Sequence, residues 1–425
     1  MSAKLRIAIV MISACVAGYA IAGGFPWDRG ATAKGNQWAQ LRIFDEVLYH
    51  ISKDYVDEPD MERVRTGALR GLADGLDPYS AYLTPAQVQS YAPVEPGLNE
   101  VGGMSLSKYG GYVYVVSVLK GSPADKAGFA TGDIIEYIGK AATRDMSLFD
   151  AEMLLTDEKA GAIEVKIFRL GQSGKLSFID GPVVIPAVDA RILEPGIGYI
   201  GVPALTKGKS AEVKAAIDQL TAKGAKRFVL DLRGSAIGPL EEGAAVANLF
   251  IESGVLARKV GRGGADTAVV QATPSATVFR GPLSVLVNTS TAGAAEVVAS
   301  AVLTAKRGDV VGERTFGAGV ELELYRLRDG GAMLTVAKFA PAVGKPFLEE
   351  GVTPSSEVKQ QVAEIAVPED DDSTAPDGQT PGPGEPKKDE KPLPRPVPTD
   401  DVQLKKAVEL VKGAGAGAAA VAKAA

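Results

Sequence analysis

Asn288 to Leu322 is the stretch whose residue types and spacing could present a nucleophile. An apolar strand, Leu283-Ser284-Val285-Leu286-Val287, runs into a turn of small residues that includes Ser290 and Thr291. A helix follows, with Glu296, Val297, Val298 and Ala301 at its start and Gly308 at its end. A second strand, Val310-Val311, leads to a glycine-flanked turn, Thr315-Phe316-Gly317-Ala318-Gly319. Strand, tight turn and helix is the arrangement by which α/β enzymes hold a nucleophile above helix amides.

Covalent catalysis also requires a group to take the nucleophile's proton. A lysine can do so when burial lowers its pKa, but Lys306 lies beside Arg307 and reads as a solvated helix residue. The sole histidine, His50, sits in a helical stretch, so Ser-His-Asp chemistry would rest on one residue outside any motif. It also rules out a histidine metal cluster. The sole cysteine, Cys15, excludes an intrachain disulfide and a thiolate metal cage. No metal or cofactor is expected. Glu296 and Glu313 invite a glycosidase-like reading, yet nothing places them across a sugar, and local capping or pairing is the simpler role. A net charge of -6 gives no basic face for nucleic acid.

These residues resemble those of the carboxy-terminal processing peptidases, or tail-specific proteases. The family pattern runs N-x-x-[ST]-A-S-A-S-E and then G-E-x-T-F-G-K-G-x-x-Q. The matching frame is Thr291-Ala292-x-Ala294-x-Glu296, followed by Gly312-Glu313-x-Thr315-Phe316-Gly317-x-Gly319. The resemblance implies a nucleophilic serine after Thr-Ala, a lysine base inside F-G-K-G, and a glutamine four residues later that orients the lysine. Those three positions are Gly293, Ala318 and Leu322. The interval from Gly293 to Ala318 is 25 residues, the same as the family's serine-to-lysine interval, so the register is kept. Glycine and alanine supply neither function. Ser290 and Thr291 are neighbouring hydroxyls, with no lysine or histidine at a matching position to activate them.

The strand Phe228-Val229-Leu230-Asp231-Leu232-Arg233 resembles the family's LDLR segment. In the family, N-N-P-G-G-L follows, and its glycine amides help to form the oxyanion hole, whose donors must aim at the developing charge. Here the run is Gly234-Ser235-Ala236-Ile237-Gly238-Pro239: Ile237 replaces one of the paired glycines, and Pro239 lacks an amide donor. Asp231 and Arg233 read as a structural pair at the strand end.

The 425 residues, 46% apolar, are enough for two or more domains. Residues 1–24 read as a signal or membrane-anchor segment, with Lys4 and Arg6 ahead of the apolar run Ile7 to Ala22. The segment could be cleaved after Ala20-Ile21-Ala22, retained as an anchor, or lipidated at Cys15. Residues 37–95 form a helical region, with an amphipathic helix over 37–57 and a second from Met61 to Ala73. Leu76-Asp77-Pro78-Tyr79-Ser80-Ala81-Tyr82-Leu83 closely resembles the family's LDPHSxYL segment. Residues 96–178 resemble the family's PDZ domain. Val101-Gly102-Gly103-Met104 stands at the carboxylate-binding loop, where glycines free amides for a terminal carboxylate. Gly121 to Gly128 matches the turn and short helix, and Leu148 to Leu155 the groove helix. A peptide could pair with the strand edge after the loop. Residues 179–360 form the core. Residues 367–400, rich in Pro, Asp, Glu and Lys, read as a disordered linker. Residues 401–425 hold a helix from Val402 to Lys412 and an Ala/Gly-rich tail.

The expected fold is therefore α+β and multidomain, with a helical N-terminal region, a sandwich-like PDZ domain carrying helices, and an α/β core of the ClpP/crotonase-like type. The expected activity is binding of peptide or protein C-termini without hydrolysis, as a scaffold or regulator in the cell envelope, periplasmic or otherwise extracytoplasmic. An active paralogous protease is a candidate partner, in homo- or hetero-oligomers. The rival readings are a peptidase with its nucleophile relocated to Ser290 or Thr291, and a structural envelope protein whose PDZ domain only packs.

Overall fold

Three sheets carry the fold of the computed structural model, which describes residues 37–91, 101–157, 161–360, 393, 395 and 400–424. The apolar run at 7–22, Cys15 and most of the proline-rich stretch lie outside these residues. Among the described residues, no helix is long and apolar enough to cross a membrane. The chain divides into two compact units, Met1–Ala68 and Leu69–Ala425. The first holds α1 (Gln37–Asp54) and the start of α2 (Met61–Asp74). His50 lies exposed on α1, with Nδ1 2.5 Å from Asp54 Oδ2.

In the second unit, the central sheet has the order β17-β14-β13-β10-β9-β8. These strands are β8 (Asp189–Glu194), β9 (Ile197–Gly201), β10 (Arg227–Asp231), β13 (Leu283–Val287), β14 (Asp309–Gly312) and β17 (Ser356–Glu357). All neighbouring pairs run parallel except β8 with β9. Parallel strands buried on both faces read as continuous apolar runs, as Leu283 to Val287 does. Alternation then sends side chains to opposite faces. Phe228, Leu230, Val285 and Val287 join the large core with α6 (Lys209–Ala222), α7 (Leu240–Asn248) and α8 (Ala294–Thr304). Val229 and Leu286 face the other way, onto Ala407 and Val411 of α9 (Val402–Ala424). That helix runs well past the expected end at Lys412.

A second, antiparallel sheet has the order β2-β3-β4-β6-β7, with β5 paired to β4. It comprises β2 (Met104–Tyr109), β3 (Tyr112–Val118), β4 (Ile134–Ile138), β5 (Ala141–Ala142), β6 (Ile163–Arg169) and β7 (Gln172–Phe178), with helices α4 (Pro123–Ala127) and α5 (Leu148–Leu155). Ile163, Val165 and Ile167 are buried, and the intervening Glu164 is exposed, so period-2 patterning sets the inner face. A third sheet, β1-β16-β11-β12 with β15 on β16, flanks the core. Its strands are β1 (Ala81–Leu83), β11 (Val255–Val260), β12 (Asp266–Gln271), β15 (Val320–Arg326) and β16 (Gly331–Ala340).

Three expectations are corrected here. The region 37–95 is not wholly helical: Ala81-Tyr82-Leu83 is a buried strand paired antiparallel with Met333-Ala332-Gly331. Asp77 prepares it, accepting from the Tyr79 and Ser80 amides at 2.9 Å each. Helix α8 stops at Thr304, where Lys306 takes a positive φ of 50°. Gly308 serves close packing instead, because a Cβ there would lie 2.2 Å from the Leu283 carbonyl oxygen. Finally, within the stretch read as a linker, Leu393 and Arg395 are seated against the second sheet.

Candidate functional site

The turn between β13 and α8 is tied to the end of β10. Asn288 Oδ1 accepts from the Gly234 and Ser290 amides, each at 3.1 Å. Thr291 Oγ1 donates to the Leu232 carbonyl at 2.9 Å and accepts from the Asn288 amide at 3.0 Å. Thr291 is fully buried. Its hydroxyl is therefore part of the turn's scaffold, which argues against a nucleophile at that position. Ser290, 2% exposed, is also packed inside.

Gly293 is the N-cap of α8, with φ 58° and ψ −116°. This is a backbone conformation that L side chains rarely adopt, and one found where strand-to-helix turns expose a nucleophile. A Cβ built on Gly293 meets no atom within 4 Å. The turn therefore combines a strained backbone at Gly293 with open space where a side chain would stand.

The glycine-flanked turn folds back onto this point. Gly293 donates its amide to the Ala318 carbonyl at 3.2 Å, and Phe316 donates to the Thr291 carbonyl at 3.0 Å. The two turns are therefore brought together through their backbones at Gly293 and Ala318, the positions to which the sequence resemblance assigned nucleophile and base. Leu322, which the sequence resemblance set at the glutamine position, packs with Ala81, Leu83, Val88 and Met333 in an apolar cluster.

Glu296 joins the two turns, a role that the sequence indicated only as a local cap. Its side chain is fully buried. Oε2 accepts from the Gly293 amide at 2.9 Å and the Ala318 amide at 3.0 Å, and Oε1 from the Gly317 amide at 2.8 Å. The Thr315 hydroxyl also donates to Oε1, while accepting from the Val352 amide at 2.6 Å. Burial pushes the Glu296 carboxyl up to about 7, against the pull of the Thr315, Gly293, Gly317 and Ala318 donors. Its place three residues after the N-cap is the readable signal. With both oxygens committed to the protein, Glu296 is no half of a glycosidase pair. Glu313 lies 3.4 Å from Gln403 Nε2 of α9.

The loop after β10 is built for packing. Ile237 is buried with Leu119 and Ala204. Its carbonyl accepts from the Leu205 amide at 2.6 Å. Gly238 takes φ 134°, and a Cβ there would lie 2.0 Å from the Leu205 carbonyl oxygen, so glycine serves a close approach. Asp231 and Arg233 form the expected structural pair, 2.6 Å apart, and extend it: Tyr199 Oη donates to Asp231 at 2.9 Å, and Arg233 reaches Asp401, just before α9, at 2.8 Å. Lys306 is exposed, as expected.

In the second sheet, Val101 and Met104 bond each other's backbones and bury their side chains in the local core. Gly102 and Gly103 between them take positive φ, 56° and 83°, and added Cβ atoms would strike Phe178 and Ser122. Within its sheet β2 stands at one end of the strand order. Tyr114 of β3 stacks on Phe316 of the glycine-flanked turn, with centroids 5.9 Å apart and planes inclined by 10°. A separate cleft of about 650 Å³, lined by Arg70, Gln87, Asp150 and Leu154 among others, shares no lining residue with the Gly293 turn.

The sequence model of Peptidase family S41 matches residues 196–358. The carboxy-terminal processing protease of Bacillus subtilis is 31% identical over 325 residues, which cover 76% of this chain and 69% of the relative. The chain belongs to the S41 family of carboxy-terminal processing peptidases. This S41 chain is also 30% identical over 348 residues to the carboxyl-terminal-processing protease of Synechocystis, covering 77% of the chain and 80% of the relative. Its fold resembles the solved photosystem II D1 C-terminal processing protease, with TM-score 0.62 and 28% identity over 76% of this chain and 87% of that one. The S41 match spans the Gly293 turn, the glycine-flanked turn and the Asp231 strand together.

Proposed function

We propose that this S41 chain is a pseudopeptidase, which binds peptide or protein C-termini and does not cut them. The observation that carries this reading is the backbone contact between Gly293 and Ala318. The two family positions meet in a preserved frame, and neither can accept or transfer a proton. The engaged hydroxyl of Thr291 speaks against a relocated nucleophile.

Residues 96–178 act as a PDZ domain in this reading. A terminal carboxylate would sit over the Gly102-Gly103 turn, and the peptide strand would extend the sheet along β2. The Tyr114–Phe316 stack would then connect the peptide-binding sheet to the turn that bears Ala318. The Lys4/Arg6 start and the apolar run at 7–22 would hold the protein outside the cytoplasm in the cell envelope. Its role there would be that of a scaffold or regulator, with an active paralogous protease as a partner.

Two experiments test this. A fluorophosphonate probe should leave the purified protein unlabelled, and labelling that maps to Ser290 or Thr291 would establish a peptidase. Peptides ending in an apolar residue with a free carboxylate should bind, and Gly103→Val should abolish that binding. Equal affinity for amidated peptides would remove the C-terminus from the reading.

A further inference from the structure

The far edge of the second sheet, at β7, carries a built site. Arg169 and Asp133 form a buried ion pair there, with Nε to Oδ1 and Nη2 to Oδ2 both at 2.6 Å. Nη2 also donates to the Gly128 carbonyl at 2.9 Å. A guanidinium locked in this way has its remaining nitrogen fixed in direction. That nitrogen, Nη1, donates to the Leu393 carbonyl at 3.3 Å. The Leu393 side chain packs against the sheet's apolar core. Gly174 of β7 opens the space: a Cβ there would lie 2.5 Å from Leu393 Cδ1, and the three nearest atoms all belong to Leu393. A strand-interior glycine often marks such close approach. Two residues on, Arg395 Nη1 lies 2.7 Å from Asp125 Oδ1, and Nη2 donates to the Asp125 carbonyl.

We propose that this edge is a docking site for a leucine and an arginine two residues apart, and that its occupant is this chain's own Leu393 and Arg395. Prolines at 392, 394 and 396 reduce the entropy lost on docking. The leucine is the anchor. The exposed Arg395–Asp125 pair sets register more than affinity. The occupied site acts as a strap. Six Cα–Cα steps lead from Arg395 to Asp401, a span of at most about 22 Å, and Asp401 is held by Arg233 beside the central sheet. Docking therefore restrains the second sheet relative to α9. This site lies at the opposite end of the strand order from β2, and the proposal does not rest on the peptide-binding reading.

The test uses the full chain and a fluorescein-labelled peptide of residues 391–398. Leu393→Asp/Arg395→Glu empties the site. A short tether gives the native segment an effective concentration on the order of millimolar, so the natural chain should bind the free peptide at least about 10-fold more weakly than the emptied chain. Adding Gly174→Ala to the emptied chain should abolish binding, with an unchanged circular dichroism spectrum. A peptide with the leucine replaced by aspartate should fail on every chain, an arm that does not depend on protein folding. The proposal is overturned if the peptide binds the emptied chain no more tightly than the natural one, or if binding survives Gly174→Ala or the peptide substitution.

Discussion

The Gly293 amide donates to the Ala318 carbonyl at 3.2 Å. The turn before α8 and the glycine-flanked turn thus close on each other backbone to backbone. The same amide also donates to Glu296 at 2.9 Å, so the contact belongs to a small network rather than to a chance approach.

Glycine relieves strain at this turn. Gly293→Ser meets no steric obstacle, because nothing lies within 4 Å of its Cβ, but it puts a side chain on a φ of 58°. Such outliers cost roughly 1–3 kcal/mol. Urea unfolding should show a loss of that size for Gly293→Ser alone. A stabilised variant would mean that the turn carries no strain.

Glu296 should govern both stability and its pH dependence. Glu296→Ala leaves Gly317, Ala318 and Thr315 without this acceptor, while the Gly293 amide keeps the Ala318 carbonyl, and each unsatisfied buried donor costs about 1–3 kcal/mol. The carboxyl pKa is raised in the folded state, from 4.5 to about 7. Its contribution is thus fully present below pH 4.5 and declines as pH rises toward 7, by roughly 3 kcal/mol in all. Denaturant titrations from pH 4.5 to 8 should show this slope in the natural chain and not in Glu296→Gln. A parallel pair of profiles would contradict it.

Tyr114 and Phe316 should be energetically coupled. Stacked aromatic pairs contribute about 0.5–1.5 kcal/mol beyond their buried area. A double-mutant cycle with Tyr114→Ala and Phe316→Ala should return a coupling in that range. Strict additivity would show that the stack at 5.9 Å does not join the sheet to the turn energetically.

Helix α9 should be acid-labile. Asp401 is half-buried; burial alone would raise its pKa, and the hydrogen bonds from Arg233 and the Leu404 amide hold it below the usual range. Its contribution is present above the unfolded value of 3.8 and is lost as pH falls below that. Hydrogen exchange in α9 should rise first on acidification. Arg233→Met should produce the same opening at neutral pH, since it leaves the buried Asp231 and its partner Asp401 unpaired, at about 3–5 kcal/mol. Unchanged protection would separate α9 from this pair.

Local pattern made much of this legible. The apolar run Leu283 to Val287, the small-residue turn and the interval to Ala318 pointed to two turns that the fold brings into contact. The Asp231–Arg233 pair was readable because both lie on one short strand end. What escaped depended on partners distant in sequence. Ala81-Tyr82-Leu83 has no strand pattern of its own length, and its pairing with β16 spans some 250 residues. Leu393 and Arg395 sit in a stretch without apolar periodicity, and their seats, Gly174 and Arg169 for the leucine and Asp125 for the arginine, lie more than 200 residues away in sequence. Glu296 looked like an ordinary cap because its Thr315, Gly317 and Ala318 donors come from a second turn.

Hydrolysis itself is the most direct measurement. A fluorogenic unfolded substrate would be incubated with the purified protein, beside the Gly293→Ser/Ala318→Lys/Leu322→Gln variant and the Ser290→Ala and Thr291→Ala variants. The natural chain is expected to release no fluorescence above the buffer rate. Cleavage that survives repurification and disappears in Ser290→Ala or Thr291→Ala would contradict the pseudopeptidase reading and place the nucleophile one turn away from Gly293.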